Sequence, residues 1–308
     1  MRPGLRISGG HATVLTNAHV VKGATAVKVL LTTGDTLVGN VRGMDTVLDV
    51  AVVAISTPPA GIRLPSIPLS DCRALRVGQW AISIGNPLGL NNSVSLGVIS
   101  SLKPGREATL DWVAHDYLQT DAAINTGNSG GPLLNERGEA IGIVTAKAGG
   151  INTEGLGFAV PIGRVLPILG ALLSGEVMQH AMLGLQLTDA HTQAAELVCE
   201  EHDVALEGMA GALVIAVLPR SPAATAGIQA ADLIVTISGR RIISSEQVQQ
   251  AVSSMRLGSN GAMELGIVRH GAQRSVRAVP VDFEAYTCAR KEEEKSQRRS
   301  PGRFILMQ

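Results

Sequence analysis

The feature that most constrains the fold is a succession of short β-branched runs between Ala12 and Val160. Turn residues separate the runs, which read ATVLT, AVKVLL, VAVVAI, WAISIG, SVSLGVISSL, AIGIVTA and LGFAVP. Short strands at this spacing favour an all-β barrel or sandwich over alternating β and α units. Aromatic residues make up only 2% of the chain and glycines number 35, which is typical of a turn-rich β protein with an aliphatic core.

The pattern changes after the first domain, which we expect to span residues 1–175. Apolar residues at helical spacing predict one helix over residues 161–180. Residues 182–283 then mix strand-like runs with two helical patterns, SPAATAG and SSEQVQQAVSSM, which predicts a small α+β domain. The last residues, 284–308, combine like-charge blocks with Ser, Pro and Gly, and we expect this tail to be disordered.

Composition excludes several classes of function. The 26 basic and 26 acidic side chains cancel, so no global field favours nucleic acid or an anionic membrane. The three cysteines are widely spaced, which predicts neither a disulfide framework nor a metal site. The longest apolar stretch, Val165–Leu173, is far shorter than the roughly 20 residues of a membrane span. The first ten residues lack the apolar segment of a secretory signal, so the sequence leaves the compartment open.

The stretch TDAAINTGNSGGPLL predicts the chemistry. Ser129 is flanked by Gly127, Gly130 and Gly131, and glycines permit a tight turn that directs backbone N–H groups inward. The N–H groups of Gly127 and Ser129 could then form an oxyanion hole, with Ser129 as the nucleophile. A Gly-rich turn without a catalytic role remains the alternative at this point.

A serine nucleophile requires a base and usually an acid that orients the base. His19 ends the strand-like ATVLTNAHVV, and Asp49 precedes the apolar run VAVVAI. Each alone fits a structural role as well. The chain order His, Asp, Ser is that of chymotrypsin-like double β-barrels and differs from the order in α/β-hydrolases and subtilisins.

These motifs carry a family resemblance. TNAHVV, LDVAVV, IGNPLGL and TDAAINTGNSGGPL resemble the HtrA/Deg family of ATP-independent serine proteases, and SPAATAGIQAADLIVTISG is similar to the core of that family's PDZ domain. The resemblance covers roughly residues 5–282. It implies a mainly β chain, in which a chymotrypsin-like double β-barrel is followed by a small α+β PDZ-like domain.

The resemblance also implies residue roles. His19 acts as general base and then acid, Asp49 orients it, Ser129 attacks, and the amides of Gly127 and Ser129 bind the oxyanion. Ile124, Ile151 and Leu156 line an apolar pocket, which favours small or medium aliphatic residues at the cleavage position. In the PDZ-like domain, Leu183, Gly184 and Leu185 bind hydrophobic peptide C-termini by adding a strand to a sheet edge. For this strand, burial in the core is the competing interpretation.

The expected function is therefore endoproteolysis of unfolded or damaged proteins in protein quality control, through an acyl-enzyme and without cofactor or metal. The resemblance favours a plastid or periplasm-like compartment and leaves a homotrimer open.

Only 18 residues precede His19, so we expect the first barrel to lack an N-terminal strand. This shortness favours an alternative function, a catalytically impaired peptide-binding or chaperone-like module. A smaller departure is Ala231 in place of the family's usual Gly. It costs on the order of 1 kcal/mol if the position has a positive φ.

Overall fold

The computed structural model divides the chain into two compact units, Met1–Met178 and Gln179–Gln308. Each unit has its own hydrophobic core. The structure describes residues 12–55, 64–70, 74–86, 93–102, 117–125, 127–145, 155–176, 178–206, 208–255, 257 and 261–290.

The first unit contains an open sheet and a closed barrel, so the mainly β prediction is confirmed. The sheet has four antiparallel strands in the order β1-β4-β3-β2 among the described residues. They are β1 (Ala12–Thr16), β2 (Ala26–Leu30), β3 (Thr36–Asp45) and β4 (Val50–Ile55). The barrel closes in the order β10-β7-β6-β5-β8-β9. Its strands are β5 (Trp80–Gly85), β6 (Ser93–Ser101), β7 (Leu118–Thr120), β8 (Pro132–Leu134), β9 (Ala140–Thr145) and β10 (Gly157–Pro161).

Two elements of this unit differ from the sequence prediction. Strand β3 was not predicted, because Gly39 and Gly43 interrupt its apolar pattern. Both glycines mark close approaches: a Cβ at Gly39 would lie 2.5 Å from Val53, and one at Gly43 would overlap the backbone of Leu172. The single helix expected over residues 161–180 is instead two short helices, α1 (Ile162–Val165) and α2 (Leu169–Ser174), because Pro167 lies between them.

The second unit is a strand-rich α+β domain. Its main sheet runs β12-β13-β14-β16-β17, with β15 paired to β14, and β11 pairs with β18 apart from it. The strands are β11 (Ala181–Met182), β12 (Leu185–Asp189), β13 (Ala212–Val217), β14 (Leu233–Ile237), β15 (Arg240–Arg241), β16 (Met263–Arg269), β17 (Ala272–Ala278) and β18 (Val281–Asp282). Strand β12 lies at the edge of this sheet.

The second unit also contains helices α3 (Gln193–His202), α4 (Pro222–Thr225) and α5 (Ser245–Ser253). The two predicted helical patterns are confirmed as α4 and α5. The side chain of Ser244 accepts a hydrogen bond from the N–H of Gln247, as expected of an N-cap, and Val248 and Val252 are buried in the core. Helix α3 was missed by the sequence analysis.

The prediction of a disordered tail over 284–308 is wrong for its first residues, because residues 283–290 are helical. The helix has an N-terminal cap, since Asp282 Oδ2 accepts from the N–H of Ala285 at 3.3 Å. It is also tethered, because the hydroxyl of Tyr286 donates to the carbonyl of Pro219 at 2.7 Å. Residues 291–308 lie outside the described residues.

Candidate active site

The structure pairs His19 with Asp49. His19 lies in the turn after β1, and Asp49 directly precedes β4. The imidazole Nδ1 is 2.7 Å from Asp49 Oδ2, and the backbone N–H of His19 donates to Asp49 Oδ1 at 3.0 Å. The Asp49 side chain is 1% exposed and that of His19 is 31% exposed. A buried carboxylate thus holds Nδ1, which leaves Nε2 as the ring nitrogen able to accept a proton.

The carboxylate of Asp49 has a further partner in the barrel. The hydroxyl of Thr145, at the end of β9, donates a hydrogen bond to Asp49 Oδ2 at 3.0 Å. The backbone of Asp49 is left-handed, with φ 57°. The preceding turn is capped by Asp45, whose Oδ1 accepts from the N–H groups of Val47 and Leu48, both at 2.9 Å. The position of Asp49 is therefore fixed from both the open sheet and the barrel.

The Ser129 turn is attached to the same barrel strand. The N–H of Gly130 donates to the carbonyl of Val144, and the N–H of Val144 donates to the carbonyl of Gly131, both at 2.9 Å. Val144 is the residue before Thr145, so neighbouring positions of β9 hold the serine turn and the Asp49 carboxylate. The turn has the left-handed glycines expected from the sequence, with φ 105° at Gly127 and 83° at Gly130.

The serine turn also lies against the end of β1, which leads to His19. A Cβ at Gly130 would overlap Thr16 Oγ1 and would lie 3.4 Å from the backbone nitrogen of Asn17. The structure thus brings the elements that carry His19, Asp49 and Ser129 to one place. Among the described residues no hydrogen bond joins His19 to Ser129. In proteases without substrate this contact is often long.

The two predicted oxyanion donors have unused N–H groups. In the part of the chain that the structure describes, neither the N–H of Gly127 nor that of Ser129 has a protein acceptor. The turn is held by other groups: the N–H of Asn128 donates to the carbonyl of Asn125 at 3.0 Å, and that of Asn86 donates to the carbonyl of Gly127 at 3.3 Å. Both N–H groups are therefore available for a ligand oxygen.

The predicted apolar pocket is described in part. Ile124 lies against Gly157, where an added Cβ would be 2.5 Å from Ile124 Cγ1. Leu156 adjoins Gly157 and is 46% exposed. The segment before Ile124 is tied to the barrel, because the hydroxyl of Ser95 donates to the carbonyl of Ala123 at 2.8 Å. Ile151 lies outside the described residues and stays a prediction.

The predicted peptide-binding residues lie at the edge of the second unit's sheet. Leu185 begins β12, which pairs only with β13 among the described strands. The side chain of Leu183 is buried in the core, as the alternative interpretation of this strand predicted. Gly184 has φ 79°, and a Cβ there would overlap Ser221. Within the described residues the N–H groups of Leu183 and Gly184 have no acceptor.

Known proteins resemble both units. A trypsin-like peptidase domain model matches residues 4–143, and a PDZ domain model matches residues 181–279. The putative serine protease HhoA of Synechocystis sp. is 43% identical over 261 residues, which cover 83% of this chain and 64% of HhoA. The periplasmic serine endoprotease DegP of Escherichia coli is 36% identical over 274 residues, covering 89% of this chain and 55% of DegP.

A solved structure extends the likeness to the fold. The HtrA-type protease AlgW with a decapeptide superposes with a TM-score of 0.69 at 29% identity, and the match covers 89% of this chain and 80% of that chain. The fold, the site and these matches define a trypsin-like peptidase domain followed by a PDZ domain. The chain is homologous to the serine proteases HhoA and DegP and structurally similar to HtrA-type proteases, and it spans 64% and 55% of the length of HhoA and DegP.

Two contacts at the site were missed by the sequence analysis. The Thr145 hydroxyl binds Asp49 across 96 positions of sequence, and the Asn17 side chain binds the carbonyl of Asp49. Asn17 had a local signal, since it stands within TNAHVV, whereas Thr145 had none.

In the described part of the chain, no group of three or more His, Cys, Asp or Glu is placed to hold a metal ion. No described helix is long and apolar enough to span a membrane.

Proposed function

We propose that this chain is a serine endopeptidase that cleaves unfolded or damaged proteins through an acyl-enzyme, without ATP. The observation that carries the proposal is the buried Asp49 carboxylate bonded to Nδ1 of His19, next to the strand that holds the Ser129 turn. This arrangement leaves Nε2 of the partly exposed His19 ring as the proton acceptor.

The proposed reaction uses the chain's own groups. Nε2 of His19 takes the proton of Ser129 Oγ as that oxygen attacks the scissile carbonyl carbon. The N–H groups of Gly127 and Ser129 stabilise the negative oxygen of the tetrahedral intermediate. His19 then donates the proton to the leaving amine, and a water molecule, activated by His19, hydrolyses the ester on Ser129. Asp49 keeps the imidazole in the reactive tautomer and stabilises the imidazolium.

We propose that the cleavage position accepts small or medium aliphatic side chains. Ile124 and Leu156 supply apolar walls, and the sequence predicts a third at Ile151. An apolar wall cannot compensate a buried basic side chain. Peptides with Val or Ala at this position should therefore be cleaved at least about tenfold faster than those with Lys or Arg.

For the second unit we propose binding of hydrophobic peptide C-termini. Two observations support this proposal. Strand β12, which begins at Leu185, lies at the edge of the sheet, and the N–H groups of Leu183 and Gly184 have no acceptor among the described residues. A peptide that adds a strand there would have its carboxylate close to these N–H groups. The similarity to DegP, a periplasmic endoprotease, supports a periplasm-like or plastid compartment for this chain. The comparisons do not favour the alternative of a non-proteolytic binding module.

Peptide hydrolysis tests the catalytic proposal. The wild-type chain should cleave a Val-containing peptide, and Ser129→Ala and His19→Ala should abolish cleavage. Ser174→Ala, an exposed serine at the end of α2, is the matched control and should keep the wild-type rate. Cleavage by Ser129→Ala at the wild-type rate would exclude Ser129 as the nucleophile.

Peptide binding tests the second unit in the full-length Ser129→Ala chain. An apolar peptide with a free carboxylate should bind more tightly than its amidated form. Gly184→Ala should weaken binding, because its Cβ would overlap Ser221. Gly208 also has a positive φ, 69°, but an added Cβ there would meet nothing within 4 Å. Gly208→Ala should therefore bind the peptide as tightly as the parent chain. Equal binding of the free and amidated peptides would contradict the proposed carboxylate site.

A further inference from the structure

We infer that Asn17 is a positioning residue, whose buried amide holds the backbone of Asp49 in the conformation from which the carboxylate meets His19. The inference rests on the proposed serine-protease function. Asn17 lies between β1 and His19 and is fully buried. Its Nδ2 donates to the main-chain carbonyl of Asp49 at 2.9 Å.

The backbone of Asp49 needs such support. Its φ of 57° is left-handed, a conformation that costs an L-residue free energy. An aspartate usually compensates for this by bonding its own side chain locally. Here both carboxylate oxygens accept hydrogen bonds from other residues. Oδ1 accepts from the backbone N–H of His19, and Oδ2 accepts from the hydroxyl of Thr145 and lies 2.7 Å from Nδ1 of His19. The donation from Asn17 to the Asp49 carbonyl supplies the main-chain anchor.

The other half of the Asn17 amide argues against a role in packing alone. Its Oδ1 is buried and has no hydrogen-bond partner among the described residues. An unpaired buried acceptor is unfavourable, and an apolar side chain of similar shape would avoid that penalty. The favourable polar interaction of this side chain is the bond to Asp49. The unpaired Oδ1 of Asn17 therefore lowers the stability of the fold, while its Nδ2 fixes the geometry of Asp49, which pairs with His19.

Two variants separate this role from folding. Asn17→Leu removes the whole amide without adding a charge. Asn17→Asp keeps the side-chain shape, but it replaces the Nδ2 donor with a carboxyl oxygen and adds a buried negative charge next to the carbonyl of Asp49. The matched control is Asn135→Ala. Asn135 is also buried, but its Nδ2 bonds Glu139 in the turn between β8 and β9, away from His19. The control is expected to lower the melting temperature while leaving catalysis unchanged.

Kinetics give the first readout. Misplacement of a catalytic group by about 1 Å can cost about a hundredfold in rate. We expect both Asn17 variants to lower kcat for peptide hydrolysis by about tenfold to a hundredfold with KM nearly unchanged, since Asn17 is fully buried and does not face a bound substrate. Variants with a wild-type kcat would overturn the inference.

The second readout does not depend on activity. In protein labelled with ¹⁵N-histidine, the His19 Nδ1 proton bonded to Asp49 should give a downfield resonance that is absent from His19→Ala. The resonance should shift or broaden in both Asn17 variants and persist in Asn135→Ala. If wild type is inactive but the resonance responds in this way, the proposed function fails and the positioning role stands. An unchanged resonance in the Asn17 variants, or none in wild type, would overturn the positioning role.

Discussion

Alanine at Gly130 is the substitution for which the structure makes the sharpest prediction. Gly130 has φ 83°, and its added Cβ would overlap Thr16 Oγ1 at the end of β1. Thr16 is β-branched and cannot easily rotate away. Either β1 or the Ser129 turn must then move by about 1 Å, which can cost about a hundredfold in rate.

A second glycine serves as a control that separates the effect of the left-handed backbone from the effect of the overlap with Thr16. Gly138 also has a positive φ, 70°, but a Cβ there would meet nothing within 4 Å. Both alanine variants should lose about 1–2 kcal/mol of stability from the left-handed backbone alone. Only Gly130→Ala should also lose activity. Removing the obstructing hydroxyl in the double variant Gly130→Ala, Thr16→Ala should restore most of the rate.

The assay is the second-order rate of inactivation by a fluorophosphonate, together with urea unfolding of each variant. We expect wild-type inactivation for Gly138→Ala, about a hundredfold slower inactivation for Gly130→Ala, and substantial recovery in the double variant. Equal losses for Gly130→Ala and Gly138→Ala would show that backbone strain, and not the contact with β1, explains the effect. No recovery in the double variant would refute the proposed contact.

Three further predictions concern stability and the Asp49 partner. Arg269 donates to both carboxylate oxygens of the fully buried Asp232, at 2.6 and 2.7 Å, so Arg269→Ala should destabilise by about 3 kcal/mol in calorimetry. Arg137→Ala removes only surface ion pairs, with Glu136 and Glu139, and should change stability by less than about 1 kcal/mol. Equal losses in the two variants would contradict this difference between buried and surface ion pairs. Ala231→Gly should raise the unfolding free energy by about 1 kcal/mol in urea, because Ala231 has φ 65°, and a lower value would contradict the strain. Thr145→Val removes a donor to Asp49 and should lower kcat about tenfold while KM is unchanged; an unchanged kcat would exclude a role for the hydroxyl.

Much of the fold was predictable because strand and cap signals are local. The β-branched runs became strands β1, β2, β4, β5, β6, β9 and β10, and Ser244 caps α5 as expected. The errors arose where tertiary packing or a single residue overrides the pattern. Pro167 divides the predicted helix, and Asp282 caps a helix where the charged composition indicated disorder.

The site was predictable in its residue types more than in its geometry. Chain order and the glycines around Ser129 pointed to His19 and Asp49, and the structure pairs these two side chains. The left-handed φ of Asp49 and the bond from Thr145 depend on contacts between distant strands. No local pattern reports such contacts, so they had to come from the structure.

The most direct test of the account is to locate the fluorophosphonate adduct by peptide mass spectrometry of the full-length chain. An activated hydroxyl requires both a base and oxyanion donors, and we propose that Ser129 has both. We predict one adduct per chain, carried by Ser129 and absent from His19→Ala. An adduct on another serine, or undiminished labelling of Ser129 in His19→Ala, would contradict the claim that the His19–Asp49 pair activates Ser129.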